Sequence, residues 1–399
     1  MKSFWLTRSG MKSIISDKIK FSEFKLEVIM EQKYDVAAYI WPAYTGDEPR
    51  TRIFWEKGIG EWQSVMTAEK KFPEHNWPRK PLWGYVNEAD PYVMEMEIEA
   101  AVSHGVNVFI YDWYWYDKRP FLEQCLNNGF LKARNNKKMK FYITWANHDA
   151  TAFWDKRLTH LEDHCIWDGK VDRKEFEVVV NRIINNYFTC ENYYKIDGCP
   201  VFNIHYLQNL IKGLGGIDQT AHAFEYFREQ TKKAGFPDLH LQLNLVGCTD
   251  DYMGFKLFRD VNMHEAFEKI PFDSATHYQF LAFTNMNRDY LEVIPDAVKE
   301  WEAEQKNLKF PYFPQVSVGW DNNPRVNSNR FMPTICKNNT PENFEKALRE
   351  AKCFIDRHNL HPLITINSWN EWTETSYLQP DDIFGYGYLE AVKKVFVDE

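Results

Sequence analysis

Apolar residues along this chain gather into short runs, and each run closes on polar or aromatic side chains. Asp35-Val-Ala-Ala-Tyr-Ile-Trp-Pro-Ala-Tyr44 is the first. Similar runs follow at Val106–Trp115, Lys140–Asn147, Cys199–Tyr206, Leu239–Val246, Ala275–Phe280 (the weakest), Phe313–Asp321 and Leu363–Ile366. Their length and apolar density read as buried strands. Stretches with helical character separate them: from Asp90-Pro91 through Met94, Ile98, Ala101 and Val102, then over 118–136, about 173–190, 217–234 and 289–307. Thr340-Pro341 opens another with an N-cap followed by proline, and Tyr386–Val397 closes the chain. Eight strand-like runs alternating with helices predict an α/β chain folded as a single (β/α)8 TIM barrel with long βα loops. The rival doubly wound sheet wants a glycine-rich phosphate turn after an early strand. Gly213-Leu-Gly-Gly216 lacks the required order.

The loop Thr45–Pro91, with tryptophans at 55, 62, 77 and 83, is long enough to expect it over a site. With no internal repeat or linker, residues 30–399 read as one catalytic domain. Residues 1–29 lack strong periodicity and read as a peripheral leader, with Met30 an alternative start just ahead of the first strand.

Composition narrows the partners. An apolar share of 44% supports a sizeable core. A net charge of −9 with no basic stripe argues against nucleic acid, and no apolar run approaches the ~20 residues of a membrane span. Seven scattered cysteines, never in Cys-x-x-Cys spacing, fit free thiols in a reducing compartment. Without a signal-peptide pattern the chain as written reads as cytoplasmic, or periplasmic if the N-terminus is misassigned. No cofactor or metal is expected: Asp250-Asp251 and Asp381-Asp382 look like solvated turns, and His264-Glu265 lacks a second histidine at zinc spacing. The oligomeric state is not legible. The 16% aromatic content fits either an oligosaccharide or polysaccharide partner or a rich core.

In a barrel the strands' C-terminal ends share one face. The residues there suit a sugar: Tyr39, Trp41 and Tyr44; Asp112, Tyr114 and Trp115; Trp145, Asn147 and His148; His205 and Tyr206; Asn244; Trp320 and Asp321; Trp369, Asn370 and Trp372; and Trp62 from the long loop. Any one of these is more often a core aromatic or a satisfied polar group; their recurrence carries the weight. Glu371 and Glu374 supply the acid and the second carboxylate that glycosidic cleavage needs. Acids three residues apart fit best if one of them activates a substrate hydroxyl.

The motifs Tyr39-Ile-Trp-Pro-Ala-Tyr44, Phe54-Trp-Glu-Lys-Gly-Ile-Gly-Glu-Trp62, Tyr111-Asp-Trp-Tyr-Trp115, Trp145-Ala-Asn147, Asn367-Ser-Trp-Asn-Glu-Trp-Thr-Glu374 and Tyr377-Leu-Gln-Pro380 resemble the WbsX-like family. That family is often labelled glycosyltransferase and is related to the endo-α-1,2-mannosidases of glycoside hydrolase family 99. The resemblance implies a (β/α)8 barrel acting on glycans. It also implies Glu371 as base on the sugar 2-hydroxyl, giving a 1,2-anhydro-sugar intermediate, Glu374 as general acid/base, and Asn370 in support of Glu371. Two positions depart from the pattern: His148-Asp149-Ala-Thr follows Trp-Ala-Asn where an acid and a downstream arginine are usual, and Thr375 stands where Gly or Ala is frequent. They bear on the sugar and linkage. Transfer from a nucleotide-sugar is the alternative, although neither an Asp-x-Asp motif nor a Rossmann-like turn is evident. A non-catalytic glycan-binding barrel is the third reading, and both acids being present counts against it.

Overall fold

The structure, a computed structural model, describes residues 33–161, 164–246 and 261–399. The leader expected at 1–29 and the Asp250-Asp251 pair lie outside them. Eight parallel strands form the core: β1 Asp35–Ile40, β2 Val108–Tyr116, β3 Lys140–Trp145, β4 Cys199–Ile204, β5 His240–Asn244, β6 Ser274–Thr276, β7 Gln315–Ser317 and β8 Leu363–Asn367. Consecutive strands pair from β1 to β6, β7 pairs with β8, and β8 pairs with β1. The last seam, between β6 and the residues ahead of β7, closes through a parallel bridge of Ala275 to Tyr312. There Ala275 donates to Pro311 O at 2.9 Å and Phe313 donates to Ala275 O at 2.8 Å. The sheet is therefore a closed (β/α)8 barrel.

Strand parity decides what each side chain does, because neighbours along a strand face opposite sides. Phe141, Ile143, Phe202, Ile204, Leu241, Leu243, Ile364 and Ile366 belong to the apolar core, all essentially fully buried. The other parity meets across the barrel in a hydrogen-bonded network. Tyr142 OH donates to Gln242 Oε1 at 3.1 Å, Asn203 Nδ2 to the same oxygen at 2.9 Å, and Thr276 and Thr365 hydroxyls meet at 2.9 Å. Buried polar groups cost free energy unless paired, so this lumen is organised by its hydrogen bonds.

The principal helices are α1 Pro91–Ser103, α2 Arg173–Ile183, α3 Ile217–Lys233, α4 Met263–Lys269, α5 Tyr290–Asn307, α6 Pro341–His358 and α7 Gly387–Phe396. Asp90 caps α1 by accepting from Tyr92 N at 2.9 Å, and Thr340 Oγ1 caps α6 by accepting from Asn343 N at 3.4 Å. The helix expected over 118–136 is confined to Cys125–Lys132 and is irregular there. Arg119–Phe121 instead folds back antiparallel on Tyr114–Tyr116, and short turns follow over Cys125–Gly129 and Phe130–Lys132. Pro120 and Gly129 oppose a continuous helix there. Gly129 also lies so close to Glu88 that a Cβ would sit 2.1 Å from its carbonyl oxygen. The expected sixth and seventh strands shorten at their C-terminal ends: the chain turns out over Phe280–Ala282, and after Ser317 it enters a loop that delivers Arg325. Among the described residues no helix is long and apolar enough to cross a membrane.

Candidate active site

The segment after β8 doubles back on itself. Asn370–Glu371 pairs antiparallel with Ser376–Tyr377, and the turn Trp372–Glu374 between them brings Glu371 and Glu374 together. Thr375 closes the turn at φ 56°, a conformation costly for a β-branched residue. That explains why Gly suits this position. Threonine is held there by its hydroxyl, which donates to Asp321 O at 2.9 Å and accepts from Trp77 Nε1 at 2.9 Å.

Arg325 is the centre of the cluster. Its Nε donates to Glu61 Oε1 at 3.1 Å, one terminal nitrogen to Glu371 Oε1 at 3.0 Å and the other to Glu374 Oε1 at 2.6 Å. The two candidate acids thus share one guanidinium. Glu61 is fixed further by Trp41 Nε1 at 2.5 Å and Thr373 Oγ1 at 3.0 Å. It is delivered by Gly60, at φ 60°, where a Cβ would lie 1.9 Å from Ala43 O. The second oxygen of Glu371 accepts from Tyr278 OH at 2.8 Å, and the same hydroxyl lies 3.0 Å from Asp112 Oδ2. One hydroxyl proton cannot serve two carboxylates, so this contact favours a proton on one of them, Asp112 or Glu371.

Electrostatics agree with that chain. Burial, then the charge of Glu371, pushes Asp112 well above the usual carboxylate range. Burial also raises Glu371, with Arg325 and the Tyr278 hydroxyl opposing. Glu374 is pushed up to about 8 by burial and by Glu371, again against Arg325. One buried cation beside several carboxylates keeps part of the set protonated near neutrality. Asp112 Oδ1 and Tyr44 OH are buried beside this cluster without a hydrogen-bond partner among the described residues.

Several other sequence candidates join this wall. Tyr39 OH donates to Asn244 Oδ1 at 3.0 Å, and Asn244 Nδ2 meets His205 Nδ1 at 3.1 Å. Burial holds His205 and His148 below the usual imidazole range, so both are neutral there. His205 packs edge-on to Tyr278 at 4.7 Å, while Tyr114 touches Trp41 and His148. Tyr206 stacks on His205, with its backbone bracketed by the Asn147 carboxamide at 2.7 and 2.8 Å. Tyr44 packs on Trp62, and Trp62 on Trp372, which stacks on Tyr377. Asp321 accepts from Asn323 and meets His75 Nε2 at 2.6 Å, bordering a cleft of about 580 Å³ with Trp77, Arg79 and Thr375.

Four candidates lie elsewhere. Trp115 Nε1 donates to Glu175 on α2, Trp145 packs on Trp113 and Phe176, and Trp369 Nε1 donates to Glu97 on α1. Their strand parity, or for Trp369 its position beyond β8, turns them toward the helices. Trp320 is buried in the core, with its carbonyl accepting from Cys336 N. Asp381 is a structural acid rather than half of a solvated pair: it accepts from Tyr377 OH at 2.6 Å and lies 3.8 Å from Arg79. Among the described residues no group of His, Cys, Asp or Glu is arranged to hold a metal ion.

The family description Glycosyltransferase WbsX matches residues 36–392. The chain belongs to the WbsX family. Two Xanthomonas campestris pv. campestris proteins called WxcX, from strains ATCC 33913 and B100, are each 24% identical to this WbsX-family chain, over 359 and 364 residues. Each alignment covers 87% of this chain and 47% of the relative, so the chain spans about half the length of the curated relatives it matches. Among solved structures, a family 99 endo-α-mannosidase from Bacteroides thetaiotaomicron, in complex with Bis-Tris-propane, superposes with a TM-score of 0.58 at 13% identity. It covers 91% of this chain and 96% of its own. A glycoside hydrolase-like protein superposes at 0.56 and 16% identity, covering 92% and 94%. At these identities the likeness is one of fold: this WbsX-family chain has a glycoside hydrolase-like barrel.

Sequence reasoning missed Arg325, Glu61 and Tyr278. Glu61 lies inside the motif ending at Trp62 but is outnumbered there by aromatics. Tyr278 lies inside the weakest expected strand, and Arg325 sits in Asn-Asn-Pro-Arg, a polar turn with no periodic signal.

Proposed function

We propose that this WbsX-family protein cleaves glycosidic bonds in an oligosaccharide or polysaccharide, with Glu374 as general acid/base and Glu371 as base on the substrate 2-hydroxyl. Glu371 takes the hydroxyl proton, and O2 bonds to the anomeric carbon as the glycosidic C–O bond breaks. Glu374 gives its proton to the leaving oxygen. Water, losing a proton to Glu374, then opens the 1,2-anhydro ring at the anomeric carbon, and O2 recovers its proton from Glu371.

The observation that carries this reading is the shared Arg325 fork. It holds Glu371 and Glu374 side by side at the end of β8, while burial and mutual repulsion keep a proton on Glu374. An acid must hold its proton at working pH to donate it. Glu374 uses only Oε1 in the fork. A carboxylate pair with a charged clamp and flanking aromatics is also the equipment of a glycosidase. The family's description supports a second reading, in which the same acids serve transfer of a sugar to an acceptor hydroxyl instead of water.

The test is incubation with a glycan panel and analysis of the released sugars, using wild type, Glu371→Gln and Glu374→Gln. Both variants should fold and bind glycan but lose turnover. Wild-type-like turnover by either would sink the assignment, and efficient cleavage of a 2-deoxy substrate would exclude the 2-hydroxyl route. Products that appear only with an added acceptor and nucleotide-sugar would favour transfer.

A further inference from the structure

The side chains around Glu371 end on two buried acids that the proposed chemistry does not use. Trp369 Nε1 donates to Glu97 Oε2 at 2.8 Å. Asn370 Nδ2 donates to Glu88 Oε1 at 3.0 Å and Oε2 at 2.8 Å. Trp372 Nε1 donates to Gln379 Oε1 at 2.6 Å, and Gln379 Nε2 donates to Glu88 Oε1 at 3.0 Å. From Trp369 to Trp372, only the Glu371 side chain escapes this arrangement and turns to Arg325 and Tyr278.

Glu88 and Glu97 are both 0% exposed, and no described lysine, arginine or histidine forms an ion pair with either. Burial raises both, and Glu97 raises Glu88 further. A site that needed only filling would take leucine or methionine at far lower cost. Glu88 cannot back away either: its N–H is tied to Tyr44 O at 3.0 Å, and Gly129 presses on its carbonyl. Asn370 completes the connection. Its Oδ1 accepts from Trp41 N at 2.8 Å and its Nδ2 also donates to Trp41 O at 2.9 Å, while the Trp41 indole holds Glu61.

We infer that Glu88 is a positioning residue that sets the direction of the Glu371 carboxylate by gripping both of its neighbours, Asn370 directly and Trp372 through Gln379. This rests on Glu371 being the base. A carboxyl group fits because donors converge on both of its oxygens from Asn370, Gln379 and, at 3.8 Å, Cys125 Sγ. A glutamine would turn an amide N–H₂ against one of them.

The test uses Glu88→Gln and, as a variant that leaves both buried acids in place, Gln379→Leu. Displacement of a catalytic group by about 1 Å costs on the order of 10²-fold in rate. On the glycan cleaved by wild type, kcat should fall by about 10- to 100-fold while KM stays within about 2-fold, because neither Glu88 nor Gln379 is among the candidate sugar-binding residues. Crystal structures should show Glu371 released from Arg325, Tyr278 or both. If either folded variant keeps kcat within about 2-fold, or keeps Glu371 on both partners, the inference is overturned. Should Glu88→Gln fail to fold, Gln379→Leu decides alone. If wild type cleaves no glycan, or Glu371→Gln still turns over, the functional reading has failed, and the crystal structures still decide whether Glu88 aims Glu371.

Discussion

Arg325→Met removes the one cation that touches Glu61, Glu371 and Glu374 among the described residues, and its cost should depend on pH in a defined direction. The arginine side chain is 6% exposed and its three partners are also buried, so solvent screening does little to soften the loss. Leaving buried charges without their partner costs about 3–5 kcal/mol. With an unfolding entropy of about 2.1 cal/mol/K per residue over roughly 370 residues, that is a fall in Tm of about 4–6 °C. The pH sign follows from the carboxyls. Glu371 and Glu374 are already raised in the fold, and Arg325 is what restrains them. A carboxyl raised in the folded state contributes stability that is intact below its unfolded value, near 4.3, and is lost as pH rises through its folded value. Removing Arg325 raises that folded value further and deepens the loss at high pH. Thermal and urea unfolding of wild type and variant at pH 5, 7 and 8.5 measure it. The difference should be small at pH 5, where the acids take up protons, and largest at pH 8.5. Arg325→Lys, which keeps the charge but not the fork, should fall between. A difference that is flat with pH, or larger at pH 5, would refute the clamp.

Two further predictions concern the same centre. Turnover by wild type should decline above about pH 8 as Glu374 gives up its proton, and Tyr278→Phe should move the acid-side limb to higher pH, because the lost hydroxyl had favoured ionised Glu371; a pH profile of kcat/KM checks both. Gly60→Ala should cost more than about 2 kcal/mol, and activity with it, since the new Cβ meets Ala43 O. Gly84→Ala, at φ 77° with nothing within 4 Å, should cost only about 1 kcal/mol, so equal losses of Tm would disprove a steric role for Gly60.

The barrel was legible in the sequence because its cause is local. Runs such as Val36–Ile40 and Ile364–Ile366 must be buried, and their alternation with amphipathic helices leaves few ways to cover both faces. The acid pair was legible for the same reason, being three residues apart on one strand end. The helix expected over 118–136 formed only over Cys125–Lys132, since Arg119–Phe121, with Pro120, is taken up in a strand. Glu97 also left a trace: it falls on the face of α1 that buries Met94, Ile98 and Ala101.

What only the tertiary structure decided is which side chains share the centre. Trp115 and Trp145 look like Tyr114 in sequence, yet strand parity sends them to the helices. Arg325, Glu61 and Tyr278 come from three different βα connections and meet only when the barrel closes. Sequence spacing reports neighbours along one element. It carries no information about a guanidinium 46 residues before Glu371 and 49 before Glu374 that must reach both. The chain alone therefore determined the barrel and named the candidate acids, and closure of the barrel decided what holds them.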